Sequence, residues 1–182
     1  MKIHPTAIPD VLVIEPVVHG DSRGFFLETW RTARYAEIGV KQPFVQDNHS
    51  RSVCGTLRGL HYQIEQAQGK LVYAVTGSVY DVAVDLRRSS PTFGRWVGQV
   101  LSEENHLQLW VPHGFAHGFY VTSPVADIFY KCTDTYASAH ERSIRWDDPE
   151  IGIAWPLVGG APPILSPRDA AAPWLRDAST YP

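Results

Sequence analysis

The strongest constraint on the fold of this chain is a pair of apolar runs of strand length joined by a two-residue turn signal. Lys70–Thr76 and Val79–Leu86 flank the dipeptide Gly77-Ser78, a combination typical of a β-hairpin. Within the second run Asp81 and Asp85 alternate with apolar residues at a period of two. Because successive side chains of a strand point to opposite faces, both aspartates are predicted on one face of a sheet.

Short β runs bounded by turn residues recur along the rest of the chain. We predict further strands at Val11–Val18, Gly24–Trp30, Arg95–Leu101, His117–Val121 and Asp127–Thr133. Helix is scarce, with two turns predicted over Trp30–Ile38, ended by Gly39, and a turn or two near Asp148–Ile151 or in the tail. With 14 Gly and 14 Pro in 182 residues, the pattern predicts an all-β chain, an antiparallel jelly roll or barrel with a few short helices.

Composition and charge exclude several classes of protein. A net charge of −3 provides no basic field for nucleic acid, and no apolar run near the N-terminus indicates a signal peptide or a membrane span. Cys54 and Cys132 are isolated, which favours free thiols and a cytoplasmic location. Residues 1–182 show no repeat and are predicted to form one domain with a Pro/Ala-rich C-terminal tail from about residue 157.

The eight histidines raise the question of a metal site. The segment Pro112–His117 matches the Pro-x-Gly-x-x-His turn of cupin barrels, whose metal-binding members also carry a His-x-His pair on an earlier strand. Here His61 is followed two residues later by Gln63. Nucleotide-binding glycine motifs and hydrolase motifs are absent from the sequence. We therefore expect no metal and no cofactor.

Several polar residues stand in apolar strand-like segments, and each has an ordinary structural explanation. Arg58 predicts a nearby carboxylate or phosphate, since burying an unpaired guanidinium is costly. His61 alone fits a hydrogen-bonded core histidine, and Lys70 fits a solvated strand end. Tyr130 fits a packed aromatic residue, and Arg23 fits a turn. Singly, none of them indicates a function.

The sequence blocks around these residues do indicate a function. The relevant blocks are DSRGFFLETW (21–30), QDNHSRSVCGTLRGLHYQ (46–63), QGKLVYAVTGSVYDVAVDLRRSSPTFG (68–94), VPHGFAHGFYV (111–121), YKCTDTY (130–136) and IRWDDPEIGIAWP (144–156). In these blocks the chain resembles the dTDP-4-dehydrorhamnose 3,5-epimerase family, cupin-like jelly rolls that act in dTDP-L-rhamnose synthesis. The resemblance covers most of residues 21 to 169 in order. It implies a cofactor-independent isomerase whose substrate is a dTDP-4-keto-6-deoxyhexose.

The resemblance also implies roles for four residues. His61 is the base that removes a proton beside the C4 ketone, and Asp169 orients its ring. Lys70 stabilises the enolate oxygen, and Tyr130 returns a proton on the opposite face. The tail that carries Asp169 is expected to close over the site.

The remaining implied positions hold the substrate. Arg23 and Arg58 resemble a diphosphate clamp. The other expected contacts are Phe26, Glu28, Gln46, Asp47, Asn48, His117, Tyr136, Glu141 and Arg168, with Phe26 and Tyr136 stacking on the thymine. The sequence departs from the family in the Ala-Ser-Ala-His stretch before Glu141 and in having arginine rather than lysine at position 168. Family members are dimers that exchange N-terminal strands, so a homodimer is expected.

Three other functions compete with this interpretation. A single-centre epimerase, acting at C3 or C5 only, keeps the same acid and base. A non-catalytic nucleotide-sugar-binding cupin predicts damage at His61, Lys70 or Tyr130, and none is present. A metal-dependent cupin predicts histidine at position 63, where this chain has glutamine.

Overall fold

Two antiparallel sheets face each other in the computed structural model, which describes residues 1–182. The strands, in chain order, are β1 (Lys2–Pro5), β2 (Leu12–Glu15), β3 (Val18–Asp21), β4 (Gly24–Leu27), β5 (Gln46–Val53), β6 (Leu57–Gln63), β7 (Lys70–Thr76), β8 (Ser78–Asp85), β9 (Trp96–Ser102), β10 (Gln108–Val111), β11 (Phe115–Val121), β12 (Val125–Cys132) and β13 (Glu141–Ser143). The helices are α1 (Thr32–Ala36), α2 (Pro167–Ala170) and the 3-10 turns Val158–Gly160 and Leu175–Asp177.

The strand order is that of a jelly roll. One sheet has the order β1-β2-β10-β7-β12-β5, the other has β13-β6-β11-β8-β9, and β3 and β4 form a separate hairpin. Every strand pair is antiparallel. The predicted all-β jelly roll is therefore confirmed. The predicted hairpin over Lys70–Leu86 is wrong, because the turn at Gly77 carries the chain from one sheet to the other: β7 pairs with β10 and β12, whereas β8 pairs with β9 and β11.

The core between the two sheets comes from alternate residues of their strands. Val72 and Ala74 of β7 meet Val79 and Ala83 of β8 in the largest apolar cluster. Asp81 lies between the latter two on the same inward face and is fully buried, so the predicted period of two is correct. One end of this interior is apolar, and the other end carries the polar residues of the site.

Three further predicted elements differ from the structure. The run Val11–Val18 is not one strand: it breaks at Pro16, which lacks an N–H for the ladder, and β2 and β3 then join different sheets. The helix near Trp30–Ile38 is only the five residues of α1. Of the two places predicted for a further helical turn, Asp148–Ile151 has none, because the Asp148 carboxylate accepts from the N–H groups of Glu150 and Ile151 and closes a turn instead. The other place, the tail, contains α2.

The C-terminal tail packs along the outer face of the five-stranded sheet. Ile164 bridges Thr56, and the Tyr181 hydroxyl donates to the Gln63 carbonyl at 2.5 Å. Leu175 packs with Leu60 in a second apolar cluster. These contacts fix α2 beside β6. No helix of the structure is long and apolar enough to cross a membrane.

Candidate active site

A polar pocket of about 240 Å³ opens at one end of the space between the sheets. Its walls come from β5, β6, β7, β12, β13 and the segments after β6 and β12. The lining side chains are Gln46, Asn48, His61, Tyr62, Gln63, Gln68, Lys70, Tyr130, Tyr136 and Glu141. Three of the four residues predicted to be catalytic thus line one cavity.

Strand alternation delivers the side chains of the six-stranded sheet. Lys70 follows the inward register of Val72 on β7, and Tyr130 follows that of Ile128 on β12. Asn48 is paired with Tyr130 across β5 and β12, so the two occupy the same face. Each of these residues therefore reaches the pocket as a direct consequence of the strand period.

In the five-stranded sheet, an irregularity is needed to bring the predicted side chains to the inward face. Arg58 and His61 are three residues apart, so a regular strand would place them on opposite faces. The register of β6 against β11 shifts between His117 and Phe119, which puts both residues opposite inward-facing partners. Gly59 sits at this bulge with a φ of +125°, and a Cβ there would lie 2.6 Å from the Gly118 Cα.

His61 forms a pair with a carboxylate from the distant tail. Its Nε2 lies 2.6 Å from Asp169 Oδ1, which leaves the other ring nitrogen to face the pocket. Burial alone would raise the pKa of Asp169, but hydrogen bonds from His61 and Ser166 lower it below its usual range. Asp169 thus stays ionised and holds one tautomer of His61, which is the arrangement of a general base.

Burial shifts the pKa values of two pocket side chains, the amine of Lys70 and the phenol of Tyr130. Burial lowers the pKa of Lys70, while Cys132, Asp81 and Glu141 oppose that shift. Burial raises the pKa of Tyr130, which keeps the phenol protonated. Lys70 has no ion-pair partner, and the nearby Arg58 donates only to the Ser52 hydroxyl and the Arg51 carbonyl. Two cations therefore remain available to an anionic ligand.

A second histidine–aspartate pair lies behind the pocket. His117 Nε2 lies 2.9 and 3.0 Å from the two carboxylate oxygens of Asp81, and both side chains are buried. His117 was expected to touch the substrate, but it is not among the pocket-lining residues, because its ring turns toward β8. Asp81 was not predicted as a site residue, although an aspartate inside an apolar strand was the available signal.

Gln63 stands where metal-binding cupins have the second histidine of the His-x-His pair, and its side chain makes other contacts. Its amide donates to the carbonyls of Gln66 and Thr135 at 2.7 and 3.2 Å and accepts from the Ala137 N–H at 2.8 Å. The side chain is thus used to hold the segment that follows β12. No group of three His, Cys, Asp or Glu side chains has an arrangement that would bind a metal ion.

The pocket rim is closed by a polar network. Glu141 Oε2 accepts from the Tyr136 hydroxyl at 2.6 Å and from Arg168 at 2.5 Å. Arg168 precedes Asp169 on α2, so the same short helix contacts the rim and the base. The predicted residues Tyr136, Glu141 and Arg168 are therefore brought together at the rim, and the departure to arginine at position 168 preserves a cation there.

Besides His117, four predicted binding residues lie away from this pocket. Asp47 is on the outward face of β5 and pairs with Lys131 at 2.7 Å, because its neighbours Gln46 and Asn48 take the inward positions. Arg23 on the β3–β4 hairpin is exposed and pairs with Asp21, and Phe26 is 71% exposed. Glu28 pairs with Arg31 and Arg34. One copy of the chain does not bring the hairpin residues to its own pocket.

Besides Gln63, two further pocket residues were not predicted as site residues. Gln68 donates to the Asp134 carbonyl at 2.8 Å, and Tyr62 donates to the Ser179 carbonyl in the tail. Neither stands out in the sequence, since polar residues in loops and tyrosines in strands are common. Only the packing of the segment after β12 and of the tail identifies them.

Comparison with known proteins agrees with this geometry. Residues 5–177 match the family model described as dTDP-4-dehydrorhamnose 3,5-epimerase. The chain is 56% identical over its full length to the whole dTDP-4-dehydrorhamnose 3,5-epimerase of Pseudomonas aeruginosa. It is 55% identical to a crystallised dTDP-6-deoxy-D-glucose-3,5-epimerase of Legionella pneumophila in complex with dTDP-4-keto-L-rhamnose, with a TM-score of 0.94 over 97% of this chain and 93% of that one.

A single-centre enzyme is also similar, at a greater distance. A 3′-monoepimerase of Streptomyces bikiniensis in complex with dTDP-quinovose is 37% identical, with a TM-score of 0.88 over 95% of this chain and 87% of that one. The fold is thus shared by both kinds of epimerase, while the higher identities are to double epimerases. The resemblance predicted from the sequence blocks is confirmed, and the chain belongs to the dTDP-4-dehydrorhamnose 3,5-epimerase family.

Proposed function

We propose that the pocket epimerises C3 and C5 of dTDP-4-dehydro-6-deoxy-D-glucose and yields dTDP-4-dehydro-L-rhamnose. The observation that carries the proposal is the arrangement of the His61–Asp169 pair in one small cavity with Tyr130 and the unpaired Lys70. A base, an acid and a cation without a counterion are the groups needed to move a proton beside a ketone. This is an isomerisation, so no electron is gained or lost.

The C4 ketone makes the reaction possible without a cofactor. Its carbonyl acidifies the C–H bonds at C3 and C5, because the carbanion formed is delocalised as an enolate. His61 takes the C3 proton through the ring nitrogen that is not bonded to Asp169, and the charge that develops on O4 faces Lys70. Tyr130 then gives its phenolic proton to the other face of C3. Exchange of protons with water restores both residues, and the same steps follow at C5.

The polar pocket is too small for the whole substrate. At about 240 Å³ it lies below the usual range of roughly 300–1,000 Å³ for ligand sites, so it accommodates the sugar and leaves the nucleotide outside. Arg58, without a carboxylate partner, lies near Tyr130 and would meet the diphosphate. Tyr136, 55% exposed at the rim, supplies a ring for the base to stack on.

We also propose that the chain acts as a homodimer and that the β3–β4 hairpin of one copy completes the pocket of the other. Arg23, Phe26 and Glu28 are away from the pocket of their own chain. Phe25 and Phe26 are 62% and 71% exposed, and large exposed apolar side chains close together indicate a covered surface. In this arrangement Arg23 joins Arg58 at the diphosphate.

Subunit mixing tests the dimer. His61→Ala and Arg23→Ala chains should each be inactive alone, whereas a refolded equal mixture should regain about a quarter of the wild-type sites, since each mixed dimer has one intact site. His61→Ala protein refolded in the same way, without the Arg23→Ala chain, provides the matched control. Absence of recovery in a mixture shown to be dimeric would exclude the exchanged hairpin.

Deuterium uptake tests the reaction. The purified protein is incubated with dTDP-4-dehydro-6-deoxy-D-glucose in D₂O, and ring-proton NMR and mass are recorded. Deuterium at both C3 and C5 supports the double epimerase. Deuterium at one carbon would make the chain a single-centre epimerase, and none with substrate still bound would leave a nucleotide-sugar-binding protein.

We further propose that residues 1–182 act as one domain whose tail closes over the site, and that the protein is cytoplasmic. Contacts of the tail with β6, including the Tyr181–Gln63 hydrogen bond, support the first point. Cys54 and Cys132 are both free thiols, which agrees with a reducing compartment.

A further inference from the structure

We propose that Gln63 is a positioning residue for the nucleotide end of the substrate, because it fixes the backbone on both sides of Tyr136. The inference rests on the stacking role proposed above for the Tyr136 ring. A ring that is held in place before the ligand arrives loses little conformational freedom when a base stacks on it. A residue that holds the ring therefore raises the affinity for the nucleotide without touching it.

The segment 134–137, which follows β12, is held by side chains. The backbone of residues 134–136 makes no hydrogen bond to another backbone group. Three pocket-lining glutamines supply one bond to each of the four residues instead. The bonds run from Gln68 to the Asp134 carbonyl at 2.8 Å, from Gln63 to the Thr135 carbonyl at 3.2 Å, from the Tyr136 N–H to Gln46 at 2.8 Å and from the Ala137 N–H to Gln63 at 2.8 Å. The position of this segment thus depends on these glutamines.

Gln63 has no donor left for a ligand. Its amide nitrogen carries two protons, which go to the carbonyls of Gln66 and Thr135, and its oxygen accepts from the Ala137 N–H. The residue is only 3% exposed, although it lines the pocket. Its polar atoms are therefore committed to the residues that flank Tyr136 in the sequence.

The three glutamines tie the segment to both walls of the pocket. Gln46 begins β5 in the six-stranded sheet, Gln63 ends β6 in the five-stranded sheet, and Gln68 lies in the connection between β6 and β7. At its other end the Tyr136 side chain is held through its hydroxyl, which donates to Glu141. The ring is thus fixed at its backbone and at its hydroxyl, and its faces are left for a base.

Binding of dTDP tests the inference without turnover. Gln63→Met keeps the length and the neutral charge of the side chain but removes all three of its hydrogen bonds. By calorimetry it should weaken dTDP binding about 10-fold and leave the affinity for inorganic pyrophosphate unchanged, because pyrophosphate has no base to stack. Unchanged dTDP affinity, or an equal loss for pyrophosphate, would overturn the proposal.

Ser123→Ala is the matched control for this measurement. The Ser123 hydroxyl also bonds a backbone N–H and a carbonyl, those of Ser78 and Val125, but it does so at the end of β7 that lies away from Lys70. Its removal should leave both affinities unchanged.

A double-variant cycle distinguishes positioning from direct contact. In a Tyr136→Leu background the stacking ring is absent, so Gln63→Met should cause no further loss of dTDP affinity. A loss that persists in that background would show that Gln63 acts on the ligand by another route, which contradicts the inference. A wild-type chain that binds dTDP but takes up no deuterium would refute the proposed reaction and still allow this cycle, so the two failures are distinguishable.

Amide hydrogen exchange follows the segment itself. In Gln63→Met the Ala137 N–H loses its acceptor, so its exchange in the ligand-free protein should become about 10-fold faster, while amides of β11 keep their wild-type rates. An unchanged rate at Ala137 would show that Gln63 does not hold the segment.

If Gln63→Met does not fold, Gln68→Met takes its place in the same cycle. This variant removes only the bond to the Asp134 carbonyl, so the expected loss of dTDP affinity is smaller, about 3-fold. The loss should again disappear in the Tyr136→Leu background. A folded Gln68→Met protein with wild-type dTDP affinity would overturn the proposal.

Discussion

The two histidine–aspartate pairs of this protein are adjacent and yet differ in what they can do. His61 and His117 are direct register partners on β6 and β11. The His61 side chain is 31% exposed and faces the pocket, whereas the His117 side chain is 8% exposed and lies behind it. The same two chemical groups therefore form one pair that can exchange a proton with a ligand and another that is closed off from the pocket.

The source of each carboxylate reinforces this difference. Asp169 reaches His61 from the tail, 108 residues away in sequence, while Asp81 meets His117 from the adjacent strand β8. A tail contact can be lost without disturbing the sheet, but a contact inside the sheet cannot. The two pairs thus have the same residue types. They differ in their access to the pocket and in the element that supplies the carboxylate.

Removal of His61 should have the largest effect. His61→Ala removes the proposed base for both carbons, so deuterium uptake at C3 and C5 should fall roughly 10³-fold. His113→Ala is the matched control, since that histidine is exposed before β11. Wild-type exchange at either carbon in His61→Ala would contradict its assignment as the common base.

Tyr130→Phe should separate proton removal from proton return. The base remains, so deuterium exchange with solvent should persist, while net inversion slows by about 10²-fold because the opposite face lacks its donor. Tyr73→Phe, on the adjacent strand β7, serves as control. Equal loss of exchange and inversion would place Tyr130 in substrate binding instead.

Asp169→Asn should have a smaller effect than loss of either reacting group. The imidazole stays in place but loses its orienting carboxylate, and removal of such a partner typically costs about 10- to 100-fold in activity. This variant should lower kcat at all pH values. An Asp169→Asn rate that equals wild type would show that the tail contact does not orient His61.

Asp85→Asn should change stability but not the chemistry of the site. Burial would raise the pKa of Asp85, but hydrogen bonds from Arg87, Ser90 and Thr92 lower it to about 2, from 3.8 for a free side chain. The stabilisation is therefore present above pH 3.8 and is lost as the pH falls toward 2.

Chemical denaturation checks this prediction. At pH 7 the free energy of unfolding of Asp85→Asn should lie below wild type by about 2 kcal/mol. The difference should narrow as the pH falls through the folded-state pKa of about 2. A gap that stays constant down to that pH would show that Asp85 stabilises the fold through packing alone.

Sequence patterns were most informative where strand alternation and the family sequence blocks agreed. The strands β7 and β8, the alternation that puts Asp81 and Asp85 on one face of β8, and the family blocks were all predicted and are confirmed. The predicted pairing of β7 with β8 is wrong, because the two strands lie in different sheets. Prediction failed at Pro16, where a local break divided one apolar run between two sheets. It was also incomplete for Asp47. The family blocks assigned the three successive residues 46–48 to one site, although strand alternation turns the middle one outward.

The sequence by itself determined the jelly-roll class and the family, and it indicated candidates for the base, the acid and the cation, because these depend on local periodicity and on residue blocks. Only the tertiary structure decided that Arg58 and His61 share a face, since the bulge at Gly59 depends on the close approach of Gly118 on another strand. It also decided which histidine faces the pocket and which carboxylate has no cation. Burial and charge compensation arise from elements distant in sequence, and no local pattern specifies them.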